Sequence, residues 1–113
     1  MDHATYVMSK FNDIKFKQDT RYPHEMFDQK PKFNGSYISG DLELSIAYGG
    51  GCYGDGPEYD TYELALFNDD HMIRLTEFDD VIGWKSAQDI DKIIDVMDNN
   101  PTLLTEPLAG ILQ

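Results

Sequence analysis

Residues 41–48 carry the plainest pattern in the chain: Leu42, Leu44, Ile46 and Tyr48 alternate with Glu43, Ser45 and Ala47. A period of two puts every second side chain on one face, which predicts a half-buried strand. Asn34-Gly35 and Ser39-Gly40 are turn signals, so residues 36–38 are read as a short preceding strand. A second alternating run covers 59–67, with Tyr62, Leu64 and Leu66 on one face and Glu63, Ala65 and Phe67 on the other. Asn68-Asp69-Asp70 then turns into 71–75, where Ile73 and Leu75 flank Arg74. Two strands joined by a short Asn/Asp turn form a hairpin, so the sheet is predicted to be antiparallel.

At residue 86 the period changes. Ser86 and Asp89 have the spacing of a capping box, in which each side chain satisfies a backbone amide of the first helical turn. Ala87, Ile90, Ile93, Ile94 and Met97 follow as one apolar stripe, with Asp91, Lys92, Asp95 and Asp98 assigned to the wet side. Asn99-Asn100-Pro101 ends the helix, because proline cannot continue the hydrogen-bond ladder. The expected fold is α+β: a small antiparallel sheet of three to four strands with a C-terminal amphipathic helix packed on one face.

Residues 1–113 are read as a single domain: a loop-rich part over 1–40, the sheet and helix over 41–100, and an apolar tail over 101–113. A short helix over 4–11 would place Val7 and Phe11 on one face. In the tail, Leu103, Leu104, Leu108, Ile111 and Leu112 are costly to leave in water, so it is expected to return to the core, close a homodimer or dock a partner.

Charge narrows the classes of function. Nine Lys and Arg face 21 Asp and Glu, a formal net charge of −12. Six of the nine cations stand in residues 1–40, where they meet five carboxylates; the other sixteen carboxylates are offset only by Arg74, Lys85 and Lys92. A field of this sign repels nucleic acid and anionic lipid and attracts basic surfaces. Direct nucleic-acid binding is therefore disfavoured, although the N-terminal third could carry a local basic patch. No apolar run approaches the ~20 residues that cross a bilayer, and the N-terminus lacks the pattern of a secretory signal. The single Cys52 cannot form an internal bridge, which fits a reducing, cytoplasmic compartment.

The candidate chemistry is sparse. Residues 49–57 hold five glycines and join two strands, without the following helix and lysine of a phosphate cradle. A hairpin connection with bulges and positive φ explains those glycines, while Tyr48, Tyr53 and Tyr59 give the loop interface-type side chains. Asp55, Glu58 and Asp60 are oxygen ligands at short spacing, but the EF-hand pattern is missing. Asp69, Asp70 and His71, with Asp79 and Asp80, lack a paired histidine motif for a transition metal. Cys52 has no thiolate-stabilising neighbour. Trp84 is read as an anchor for the start of the helix or as an interface anchor. No catalytic residue, metal site or cofactor is assigned, which points away from an enzyme.

The order of elements, with Tyr53-Gly54-Asp55-Gly56, then Tyr62-Glu63-Leu64-Ala65-Leu66-Phe67, then Asp79-Asp80-Val81-Ile82-Gly83-Trp84 and an acidic helix, resembles small uncharacterised proteins of tailed bacteriophages. The likeness spans residues 42–97 and supplies no activity. It implies a phage product acting in the host bacterial cytoplasm. Together with the charge, it suggests a non-catalytic accessory factor that binds a host protein with a basic surface, with nucleic-acid mimicry as one means. The expected contact residues are Tyr53, Asp55, Glu58, Asp60, Trp84, Asp91, Asp95 and Asp98. The alternatives are a small-ligand or metal-binding domain built on loop 49–60, and a minor structural or assembly protein.

Overall fold

The computed structural model describes residues 10–19, 31–69, 71–73 and 81–101. Six strands, β1 (Lys17–Gln18), β2 (Lys32–Ser39), β3 (Leu42–Gly49), β4 (Tyr62–Asn68), β5 (His71–Ile73) and β6 (Val81–Lys85), precede helix α1 (Ala87–Asn99). The sheet is antiparallel in the order β1-β2-β3-β4-β5, and β6 pairs with β4 on the same side as β5. The expected α+β architecture is therefore present, with a wider sheet than the three to four strands anticipated.

The alternating run of β3 buries Leu42, Leu44 and Ile46, and its partners Leu66 and Leu64 on β4 lie on the same face. Helix α1 covers that face with Ile90, Ile93, Ile94 and Met97, all 2% exposed or less. Each such side chain contributes roughly 1.5–3 kcal/mol on leaving water, so the helix stripe supplies several kcal/mol. Its N-terminus is capped as anticipated: the Asp89 amide donates to Ser86 Oγ (3.1 Å) and the Ser86 amide to Asp89 Oδ2 (3.1 Å).

One end of the core is aromatic. The Tyr62 ring lies 5.2 Å from Phe11, 6.0 Å from Phe16 and 5.8 Å from Tyr48, and Tyr48 stacks on Phe33 at 5.1 Å. Phe11 and Phe16 bring the N-terminal segment onto the sheet. Residues 10–12 are helical, overlapping the helix expected over 4–11 at 10 and 11, and 4–9 lie outside the described residues.

Two strands were not anticipated. β1 is only two residues long, too short to show a period. Residues 81–85, read as a lead-in to the helix, form β6 instead. Tyr62 is opposite Lys85 and Leu64 opposite Ile82, so β6 carries one extra residue against β4, a β-bulge. The extra residue disrupts the alternation that would have announced a strand. β5 and β6 are successive partners of β4, since Ile73 faces Leu66 and Val81 faces Ala65. β4 and β5 pair antiparallel as expected, with Asn68 opposite His71. Asp70, Asp79, Asp80 and the tail beyond Pro101 lie outside the described residues.

Candidate functional site

The glycine-rich connection between β3 and β4 is built of two successive turns. The Gly49 amide donates to the Gly54 carbonyl (3.0 Å), and Gly56 forms a bridge with Thr61, its amide 2.8 Å from the Thr61 carbonyl. The Asp55 amide adds a bond to Thr61 Oγ1 at 2.9 Å. The turns fold back over neighbouring strands: the Tyr53 amide donates to Glu63 Oε1 on β4 (3.1 Å), and the Trp84 amide on β6 donates to the Tyr53 carbonyl (2.7 Å). Gly83 lets the two segments meet, since a Cβ there would stand 2.4 Å from Tyr53 Cβ.

This arrangement brings Tyr53 and Trp84 together, with ring centroids 6.5 Å apart, although the sequence separates them widely. Both are exposed, at 58% and 56%, and Tyr59 in the same connection is 60% exposed. Trp84 holds φ at 59°, left-handed backbone that a bulky residue rarely adopts. It is the bulge of β6 that turns the indole away from the core. The reading of Trp84 as an anchor under the helix is therefore corrected: Ile82, not Trp84, packs against the core.

The predicted carboxylates divide by role. Asp55 and Glu58 are exposed, and neither side chain is hydrogen-bonded among the described residues. Asp60, itself at φ 53°, accepts from the Ala87 amide at 2.9 Å and so adds a third cap to the N-terminus of α1. A non-local cap of this kind has no signature in local spacing. The acids of α1 are all engaged internally: Asp89 in the capping box, Asp91 with the Phe11 amide (2.9 Å), Asp95 with Asn99 Nδ2 (2.8 Å) and Asp98 with three donors.

Asp91 does not lie on the wet side of the helix; at 3% exposure it is buried. Only its Oδ1 has a partner, and Oδ2 is buried without one. Burial pushes this carboxyl above its usual range, against the Phe11 hydrogen bond and the nearby Lys10 charge. Asp98 is opposite in sense. Burial would raise it, but hydrogen bonds from Lys10 (2.6 Å), Ser39 (2.7 Å) and Tyr37 (2.8 Å) prevail and hold it below the usual range. The two acids clasp segment 10–11 to the helix.

A carboxyl raised by folding favours the folded state most below its unfolded value, and that contribution is lost as pH rises through the folded value. Asp91→Asn keeps an acceptor for Phe11 and removes the buried charge. Its Tm is expected to exceed wild type by a few degrees at pH 7, the gap closing near pH 3. A lower Tm at pH 7 contradicts the assignment.

No group of three His, Cys, Asp or Glu side chains among the described residues could hold a metal ion. Three of the five loop glycines face protein: a Cβ at Gly49 would meet the Pro31 carbonyl oxygen at 2.0 Å, one at Gly54 the Tyr62 backbone at 2.5 Å, and one at Gly56 the Tyr48 ring at 2.4 Å. Burial, followed by the Glu63 charge, raises the Cys52 thiol, which keeps it protonated at neutral pH. Among the described residues, no helix is long and apolar enough to cross a membrane. No protein-family model, curated protein or solved structure matches the chain. The site is therefore characterised by its geometry alone.

Proposed function

We propose that the chain is a non-catalytic interaction protein that binds a basic protein surface through Tyr53, Trp84 and the acidic connection beside them. The observation that carries this is Trp84, more than half exposed, in left-handed backbone and tied by its amide to Tyr53. An exposed indole contributes little to folding, and left-handed backbone costs about 1–2 kcal/mol for a residue with a Cβ. Strain kept where the fold gains nothing from it is a mark of a functional position. Tryptophan and tyrosine are the residues most used as interface anchors, and aromatic faces attract Lys and Arg. Asp55 and Glu58, with no internal partner among the described residues, supply the matching charge.

The internal engagement of every α1 carboxylate moves the expected contact from the helix to this connection, and with it the weight from nucleic-acid mimicry to aromatic anchoring. The phage resemblance supplies the context: an accessory factor whose partner is a protein of the bacterial host. The alternative of a ligand-binding glycine loop has less support, because Gly49, Gly54 and Gly56 are packed against protein.

Trp84→Gly relieves the backbone strain and deletes the anchor. It is expected to fold at least as stably as wild type, by up to about 1 kcal/mol, yet to lose any host protein that wild type retains from bacterial lysate at low and at moderate salt. A captured protein retained equally by the variant contradicts the assignment of the contact.

A further inference from the structure

Three lysines, Lys10, Lys15 and Lys17, line a groove of about 650 Å³ beside β1 and β2, in which Lys10 is already paired with Asp98. Its wall is the segment around Lys15 and Lys17, which alternates with the inward-facing Ile14 and Phe16. Its floor includes Ser36 and Ser45, direct partners across the β2–β3 ladder, and Asn34, the partner of Lys17 on β1. Direct partners share a face, so both serines and Asn34 lie on the sheet surface opposite α1, and Lys17 joins them.

Two features separate this groove from ordinary surface. In a chain with 21 carboxylates, neither Lys15 nor Lys17 has an ion pair or hydrogen bond among the described residues. The Ser36 and Ser45 hydroxyls likewise have no partner there. Asn34 Nδ2, in contrast, is committed to Asp19 at 3.1 Å and is fixed in place. Two ammonium groups and two hydroxyls thus border one cavity as unused donors. A carboxylate offers two oxygens to such a set, whereas a terminal phosphate offers three. Asp13 and Glu43 stand in the same groove and oppose any further negative charge.

We propose that this groove binds a small phosphomonoester, its phosphate between Lys15 and Lys17 over the Ser36–Ser45 pair, and its hydroxyl groups toward Glu43. Ligands with several phosphates are disfavoured by the two carboxylates and by the net charge of −12. The volume suits a metabolite of sugar-phosphate size.

The test is an amide chemical-shift titration of the full chain with ribose 5-phosphate. Saturable shifts centred on Lys15, Lys17, Ser36 and Ser45 are expected, with affinity falling about tenfold in Lys15→Ala or Lys17→Ala, the loss of one charge-assisted bond. Both side chains are exposed, so these variants should fold, and Ser36→Ala with Ser45→Ala provides an uncharged second pair. Ribose alone and ATP are expected to bind at least about tenfold more weakly. Shifts elsewhere, equal shifts with ribose, tighter binding of ATP, or unchanged affinity in the lysine variants would each overturn the proposal. Trp84→Gly should leave this titration unaltered, which separates it from the interaction described above.

Discussion

Gly49→Ala is expected to be severely destabilising. Gly49 ends β3 at φ 101°, a conformation in which side chains are strained, and a Cβ there would stand 2.0 Å from the Pro31 carbonyl oxygen. No rotamer relieves that contact, because both atoms belong to the backbone or its first substituent. Backbone strain and overpacking each cost about 1–3 kcal/mol. Their sum approaches the stability of a small domain, roughly 5–15 kcal/mol. Chemical denaturation should show a loss of about 3 kcal/mol or more, or no folded protein at all. Gly40→Ala is the control: its φ is also positive, at 60°, but a Cβ there would meet nothing within 4 Å. It should cost only about 1 kcal/mol. Equal losses at the two positions would show that the close approach of residues 31 and 49 does not exist in solution.

Tyr62→Ala should cost about 3–5 kcal/mol, the range for deleting a buried aromatic ring. Tyr62 is 2% exposed and touches three other rings, so its removal opens the aromatic end of the core beneath segment 11–16. Tyr62→Phe should be close to neutral, because it keeps the ring. The hydroxyl has its own signature. Burial, with the charge of Asp60 next, pushes Tyr62 up to about 12. A phenol raised by folding is neutral in the folded chain where the unfolded chain has begun to ionise, so stability falls as pH climbs above about 10. Denaturation at pH 8 and pH 11 should show a smaller drop for Tyr62→Phe than for wild type. An identical drop would place the alkaline loss elsewhere.

The parts of the fold that could be read from the sequence are those set by one period. Leu42, Leu44 and Ile46 announce β3, and Ser86 with the stripe from Ala87 to Met97 announces α1, because local spacing alone decides which face is apolar. β6 was hidden by its bulge, since Trp84 interrupts the alternation and Gly83 removes a side chain. The burial of Asp91 was accessible in principle. It lies four residues after Ala87 and three before Ile94, and Asp98 follows Ile94 by four, so both acids border the apolar stripe. Segment 10–11 needs both: one takes a backbone amide and the other an ammonium.

The candidate site was legible only as a composition. Tyr53, Asp55, Glu58 and Asp60 stood out within the glycine-rich connection, and Trp84 stood out alone. Nothing local states that the Tyr53 carbonyl receives the Trp84 amide, or that Asp60 caps the helix that Trp84 precedes. Those links depend on β6 pairing with β4 and on the connection folding back across both strands. Asp91 and Asp98 failed to join them for the same reason, since their partners, Phe11, Lys10, Tyr37 and Ser39, come from distant parts of the chain, whereas Asp95 is held locally by Asn99.

Trp84 is the only tryptophan, so its fluorescence reports on the proposed contact directly. The most direct measurement is acrylamide quenching of the full chain, alone and saturated with the host protein that it captures, that protein prepared without its own tryptophans. Alone, the exposed indole should quench readily. In the complex, the proposed contact predicts a blue-shifted emission and quenching reduced severalfold. A saturated complex in which Trp84 emits and quenches as it does in the free chain would contradict an interaction through this residue.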